Sequence, residues 1–217
     1  MSDSTRTTHS APLLRRLVRS ASLALVGLAT VSTSFGLPAA ASAAPVTSVT
    51  LTDPTGDVWS ISEGENASWA PAGDVPSADV VRAVVTHRPH RVSIRMKFVD
   101  LRRAEPAFYD ATIVTHDRLR AAFVMTGPRR WGGRHIMVNG NFGRVRCPGF
   151  QHSVDYVTDQ VTMTLPRACL GNPRWVRVDM ANGIFRGDSE ATFQEITDNP
   201  HSTRASGGMT PRIYRAS

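Results

Sequence analysis

The sequence predicts an all-β fold made of two packed antiparallel sheets, and three observations support this expectation. Residues 91–98 alternate strictly between polar and apolar side chains, which is the pattern of a half-buried strand. Short polar connections separate segments of this kind, as at 87–90 and 116–118, where hairpin turns fit. After residue 43, no stretch shows an amphipathic helical repeat longer than a turn or two.

The expected strands follow one another along the chain at short intervals. Residues 79–86 and 91–98 flank a proline-containing connection and predict an antiparallel hairpin, and 108–115 with 119–126 predict a second one. The full expected set lies at 48–52, 79–86, 91–98, 108–115, 119–126, 134–138, 142–147, 160–165 and 175–180. A series of about eight to nine strands predicts an antiparallel β-sandwich of the jelly-roll or immunoglobulin-like kind.

The first 43 residues have the composition of a secretory signal peptide. Arg15, Arg16 and Arg19 precede an apolar stretch over 21–37, and small residues follow it at 41–43. The apolar stretch is interrupted by polar residues and falls short of the ~20 residues that a bilayer span needs, so we expect no retained membrane span. The sequence thus predicts a secreted protein with a sandwich domain over 44–185. A polar, partly disordered C-terminal segment is expected over 186–217.

Charge and cysteine content constrain the exported part of the chain. Without residues 1–43, which hold four arginines and one aspartate, 21 basic and 17 acidic residues remain, so the formal charge falls from +7 to +4. Cys147 and Cys169 are the two cysteines, and they show no zinc-binding spacing. In an oxidising compartment they predict one disulfide.

Three aspartates stand beside the first expected strands. Asp53 and Asp57 flank a Pro-Thr-Gly segment after the first strand, and Asp79 enters the second. Carboxylates on loops at strand ends are ligands that calcium accepts, so these three residues are the candidate site for a structural calcium ion. The alternative is that they only shape turns and cap nearby amides, and their wide spacing favours it. No cofactor is required by the sequence.

The same segment supplies a family resemblance. An Asp-Pro-x-Gly-Asp motif, a polar loop, a Val-rich strand led by Asp79 and an alternating strand ending at 98–101 resemble the start of DOMON-like and carbohydrate-binding-module-9-like sandwiches. The likeness covers about residues 47–101. It implies a secreted sandwich that binds sugars or another ligand, in some members with structural calcium near the first loop. Asp53, Asp57 and Asp79 are the positions that match.

A basic stretch follows in the middle of the chain. Residues 118–154 contain seven arginines and no acidic residue. The acid Asp117 lies just before this stretch. Arg129, Arg130 and Arg134 surround Trp131 in a Gly-rich turn, so an aromatic plate and guanidinium groups could hold an anionic ligand. The alternative is solvated arginines beside a Trp131 that folds back on the core. We expect an anionic polysaccharide or cell-wall partner, and no nucleic acid.

Motifs of catalysis are missing from the sequence. It has no Gly-x-Ser-x-Gly elbow, P-loop or dinucleotide-binding glycine pattern, and no helix-borne histidine pair. We therefore predict a secreted, non-catalytic binding or cell-envelope accessory module. The alternatives are a small secreted hydrolase whose site assembles only in the fold, and a purely structural exported protein.

Overall fold

A computed structural model describes residues 44–62, 67–187, 194–203 and 207–217 of the chain. In these ranges the chain forms thirteen strands and one 3-10 turn, Arg167–Leu170. In chain order the strands are β1 (Ser48–Thr52), β2 (Val58–Ser62), β3 (Ala70–Gly73), β4 (Val80–His87), β5 (Arg91–Phe98), β6 (Ala107–Val114), β7 (Leu119–Thr126), β8 (Arg134–Asn139), β9 (Gln151–Asp155), β10 (Gln160–Pro166), β11 (Trp175–Arg186), β12 (Gln194–Asp198) and β13 (Ile213–Tyr214). The predicted signal peptide, residues 1–43, lies outside the described residues.

The strands form two antiparallel sheets, which confirms the predicted all-β sandwich. The five-stranded sheet has the order β1-β4-β5-β10-β9. The eight-stranded sheet has the order β3-β2-β12-β11-β6-β7-β8, and β13 pairs with the start of β11. Both predicted hairpins are present, as the β4–β5 and β6–β7 pairs.

Alternating side chains fill the space between the sheets. Val92, Ile94, Met96 and Phe98 of β5 are fully buried, as the sequence pattern predicts for one face of this strand. The ring of Phe98 meets the ring of Tyr109, on β6 of the other sheet, edge to face at 5.5 Å between centroids. Burial of this shared apolar layer holds the two sheets together.

The strand expected at 142–147 is not formed, and that prediction is wrong. A single bridge between Val138 and Arg144 replaces it. The preceding turn is tight: Asn139 Oδ1 accepts hydrogen bonds from the amides of Asn141 and Gly143, and Phe142 has a φ of 59°. A left-handed residue of this kind fits a turn and interrupts a strand.

The structure also contains strands that the alternation pattern does not reveal. β2 and β3 lie within 56–78, a segment without visible periodicity, and β9 is a third addition. β3 contains Pro71, which its position at the end of the eight-stranded sheet tolerates because an edge strand need not donate from every amide.

The sandwich continues past residue 185, the boundary expected from the sequence. β12 extends the eight-stranded sheet, and β13 pairs with β11. Ile213 is fully buried, and Thr210 accepts a hydrogen bond from the Val178 amide through Oγ1 at 2.9 Å. The sparse apolar residues of this segment thus reach the core, although its composition is polar. Residues 188–193 and 204–206 lie outside the described part.

The predicted disulfide is present. Cys147 and Cys169 are bonded, with 5.3 Å between their Cα atoms, and they join the loop before β9 to the 3-10 turn after β10. In the part of the chain that the structure describes, no helix has both the length and the apolar character needed to cross a bilayer.

Candidate functional site

Four aspartates meet where the chain passes from one sheet to the other. Asp53 follows β1 of the five-stranded sheet, and Asp57 precedes β2 of the eight-stranded sheet. Asp79 directly precedes β4, and Asp198 is the last residue of β12. Both sheets therefore contribute to this group of residues, which we call the aspartate cluster.

The carboxylates of the cluster lie close together. Oxygens of Asp53, Asp57 and Asp198 all lie within 4.8 Å of one another. Asp53 and Asp198 are buried, with 8% and 1% of their surface exposed, and Asp57 is half-buried. Among the described residues, no basic side chain forms an ion pair with any member of the cluster.

Backbone amides orient two of the four carboxylates. Asp198 Oδ2 accepts a hydrogen bond from the Val80 amide of the opposite sheet at 2.7 Å. Asp79 Oδ2 accepts one from the Gly56 amide at 2.7 Å, and Gly56 has a φ of 79°, a conformation that favours glycine. The first bond ties the end of β12 to the start of β4, and the second ties the loop between β1 and β2, the crossing loop, to the residue before β4.

Several buried oxygens of the cluster have no hydrogen-bond donor within the described ranges. They are Asp53 Oδ2, both carboxylate oxygens of Asp57 and Asp79 Oδ1. Leaving a buried polar atom unpaired costs about 1–3 kcal/mol, and more when it is charged. Among the described residues, these four oxygens therefore have neither a donor nor a positive charge to offset their burial.

Asn182 adds a neutral oxygen at the same place. It stands opposite Asp198 in the β11–β12 ladder and is fully buried. Its Nδ2 donates to the carbonyl of Ala78, the residue before Asp79, at 2.9 Å, and its Oδ1 has no partner among the described residues. An unpaired amide oxygen beside carboxylates is a further ligand of the kind that calcium uses.

Burial and mutual repulsion make the carboxylates hard to ionise. Burial, followed by the charges of Asp198, Asp57 and Asp79, raises the pKa of Asp53 to about 8. Burial is also the main cause that raises the pKa of Asp198 to about 7, against the opposing effect of its backbone hydrogen bonds. The pKa of Asp79 is raised by burial as well. A divalent cation in the cluster would remove the repulsion and favour the ionised forms.

Three of these aspartates, Asp53, Asp57 and Asp79, are the residues that the sequence predicts as a calcium site. The structure brings Asp53 and Asp57 together and places Asp79 beside them, held by the crossing loop. It adds Asp198, which the pairing of β12 with β2 brings next to the loop that carries Asp57, and Asn182, which lies opposite Asp198 in the β11–β12 ladder. Neither is predicted as a site residue from the sequence. The sequence shows Asp198 only as one acid in a segment without visible periodicity, and acids of this kind are too common to single it out.

The second predicted site is an arginine pocket next to β7 and β8. Arg129, Arg130 and Arg134 line a depression of about 520 Å³ together with residues 125–128. Trp131 is half-buried and is not part of the lining, so the structure brings the three arginines together without the aromatic plate. The backbone carbonyl of Trp131 accepts a hydrogen bond from the Tyr156 hydroxyl at 2.9 Å. Among the described residues, no carboxylate lies within 4.0 Å of these guanidinium groups.

Other titratable groups form smaller clusters. His135 and His152 face each other with 2.8 Å between their Nδ1 atoms, and burial followed by the neighbouring imidazole lowers the pKa of His135. Within the described ranges no third ligand joins them. On the outer face of the eight-stranded sheet, burial raises the pKa of Asp110 to about 7, with smaller contributions from Asp179 and Glu195.

Comparison with protein-family models, with curated proteins and with solved structures finds no match for this chain, and nothing in it indicates the DOMON-like or carbohydrate-binding-module-9-like families.

Proposed function

We propose that this chain is a non-catalytic binding module, exported from the cell, whose sandwich is completed by a calcium ion in the aspartate cluster. The observation that carries the proposal is the convergence of Asp53, Asp57 and Asp198 within 4.8 Å, buried and without a basic partner in the described ranges. Export is supported by the leader-like residues 1–43 and by the disulfide, which persists in oxidising compartments.

The chemistry of the ligands favours calcium over other metals. Every available ligand is an oxygen, from four carboxylates and one side-chain amide, and calcium takes about six to eight oxygens in flexible geometry. Zinc prefers nitrogen and sulfur ligands, which the cluster does not offer among the described residues. Magnesium requires a stricter octahedral set and keeps several waters, so a buried group of loop carboxylates suits it less well.

Titration of calcium into chelator-treated protein tests the proposal. Isothermal calorimetry and thermal unfolding should show one calcium per chain and a raised melting temperature, because a ligand specific to the folded state stabilises it. Asp57→Asn is the sharpest variant: neither oxygen of Asp57 accepts a hydrogen bond from a described residue, so the change breaks none of the bonds that the structure describes. Asp155→Asn, at the exposed end of β9, is the control for a change of charge away from the cluster.

We expect Asp57→Asn to weaken calcium binding by at least about tenfold, which is a loss of about 1.4 kcal/mol. The control should bind as the parent does. Unchanged melting of the parent in calcium, or equal affinity of the two variants, would refute the proposed cation site.

The arginine pocket supports the binding role of the module. Arg129, Arg130 and Arg134 present three guanidinium groups that form no ion pair with the described residues, and such groups suit bidentate contacts to carboxylate, sulfate or phosphate. An anionic polysaccharide or wall polymer is therefore the partner that we propose for this surface. Loss of a salt-sensitive pulldown on wall material in Arg130→Ala with Trp131→Ala, and its retention in Arg95→Ala on the other sheet, would support this proposal.

A further inference from the structure

The outer face of the eight-stranded sheet carries an apolar groove. Solvent-facing sheet surfaces are usually polar, so a groove lined almost entirely by carbon atoms needs an explanation. The groove has a volume of about 590 Å³, within the range of roughly 300–1,000 Å³ that is usual for small-molecule sites. Its lining residues include Phe108, Phe123, Met125, Ile136, Phe142 and Phe185.

The aromatic wall of the groove is shaped by a glycine. Phe108 on β6 stands opposite Gly183 on β11, and a Cβ added to Gly183 would overlap the Phe108 ring. The ring can therefore lie flat over the backbone, with its centroid 5.3 Å from that of Phe185. Phe142 is 83% exposed on the turn after β8, where burial of its ring requires something outside the described fold.

The groove opens directly into the arginine pocket. Met125 and Thr126 line both. Arg134 and Ile136 lie two residues apart on the same face of β8, so the guanidinium of one adjoins the apolar wall formed by the other. An apolar cleft with three cations at one end, none of them ion-paired within the described part of the chain, is complementary to a molecule with an apolar body and an anionic head.

We infer that the groove and the arginine pocket together bind a single-chain anionic amphiphile, with its acyl chain along the aromatic wall and its carboxylate at Arg129, Arg130 and Arg134. The inference rests on the proposed binding role of the arginine pocket and deepens it by naming the ligand class. It does not require the calcium ion, which would bind among other residues.

Among the described residues, three acids share this face of the sheet: Asp110 on β6, Asp179 on β11, and Glu195 on β12 opposite Phe185. Asp110 stands opposite Phe123 in the β6–β7 ladder. This pair lies two residues further from the arginine pocket than the pair of Phe108 and Met125 does. Because burial raises the pKa of Asp110 to about 7, its carboxyl group is largely uncharged in mildly acidic solution. None of the three acids lines the groove or the pocket, so among the described residues the charged groups that meet the anionic head are the arginines.

Calorimetry with dodecanoate, below its micelle concentration and with the full chain in calcium-free buffer, tests the inference. Dodecyltrimethylammonium has the same chain with the opposite charge, and octanoate has the same charge with a shorter chain. We expect dodecanoate to bind at least about tenfold more tightly than either. Arg134→Gln should weaken dodecanoate binding about tenfold, Phe123→Ser should weaken both carboxylates, and Arg95→Gln on the other sheet should change neither.

The outcomes separate this inference from the proposed function. Equal binding of the two charge types, or equal effects of Arg134→Gln and Arg95→Gln, would overturn the amphiphile site even if Phe123→Ser did not fold. Binding of polygalacturonate but not of dodecanoate would also overturn it, while leaving the polyanion proposal standing. Dimerisation that Phe123→Ser abolishes, seen by sedimentation without dodecanoate binding, would assign the groove to a second copy and refute the inference.

Discussion

Metal-free protein should lose stability as the pH rises through the range in which the aspartate cluster ionises. An unperturbed aspartate has a pKa of 3.8, whereas burial and neighbouring charges raise the pKa of Asp53 to about 8. Between these values the folded carboxyl keeps a proton that the unfolded one has released. The folded state thus binds more protons, and the free energy of unfolding falls as the pH increases.

The size of this effect follows from the same pKa. One proton of difference changes stability by about 1.4 kcal/mol per pH unit, so Asp53 alone accounts for about 2.7 kcal/mol between about pH 5 and pH 7. For a chain of this length that corresponds to a fall in melting temperature of about 5–11 °C. Asp198, with a pKa of about 7, contributes in the same direction. Because the carboxylates of Asp53 and Asp198 interact, they titrate as a pair, and the value above counts one proton only.

Histidines act in the opposite direction and must be separated from this effect. Burial lowers the pKa of His87, His135 and His201, so below the ordinary value of 6.5 these groups make stability rise with pH. The comparison of the parent with Asp53→Asn removes their contribution, since both proteins carry the same histidines.

Thermal unfolding followed by circular dichroism, on metal-stripped protein between about pH 5 and pH 7, measures the difference. The parent should lose about 2.7 kcal/mol relative to Asp53→Asn over this range. Saturating calcium should abolish the relative loss, because the cation holds the carboxylates ionised, and its stabilising effect should be larger at the upper end of the range. Parallel profiles of the parent and Asp53→Asn without metal would show that this carboxyl does not keep its proton, and the reasoning would be wrong.

Three further predictions concern the rest of the sandwich. Replacing Cys147 and Cys169 together by Ser should lower the free energy of unfolding in urea by roughly 3 kcal/mol, because their 22-residue separation closes a sizeable loop, and an unchanged midpoint would contradict this. Ile213→Ala should cost about 2–5 kcal/mol in the same assay, whereas Tyr214→Ala, at a more exposed position, should cost less; equal costs would argue against docking of the C-terminal strand. Gly183→Ala should push the neighbouring aromatic ring into the groove and reduce dodecanoate affinity with calcium affinity unchanged; equal dodecanoate affinity would show that the ring has room to move.

Local pattern predicted the parts of the fold in which one strand face is buried and the other is solvated. β4, β5, β6 and β7 show this alternation, and the structure has them as expected. β3 could not be found in this way, because it is a four-residue edge strand with a proline. The segment that ends in β13 was predicted to be partly disordered because its few apolar residues are scattered along a polar sequence. In the structure one of them, Ile213, is fully buried in the core.

The candidate sites differ in how many of their residues could be predicted from the sequence. Asp53 and Asp57 belong to one loop, so their proximity follows from spacing, whereas Asp198 is more than a hundred residues away and joins them only through the order of strands in the eight-stranded sheet. The arginine pocket is local and was predicted as a unit, apart from Trp131. The apolar groove was missed because its aromatic residues are outward-facing members of four separate segments, and no window of sequence contains them together.

The position of the aspartate cluster explains why a cation there would matter to the whole domain. The cluster includes the loop that carries the chain from β1 of one sheet to β2 of the other, and Asp198 of the eight-stranded sheet accepts a hydrogen bond from Val80 of the five-stranded sheet. A bound cation would therefore join both sheets at one edge, where the core offers charged oxygens in place of apolar contacts. The disulfide ties the loop before β9 to the turn after β10, within the region of the five-stranded sheet. The two cross-links act on different segments, so their removal should be additive in the free energy of unfolding, as expected for distant sites without shared partners.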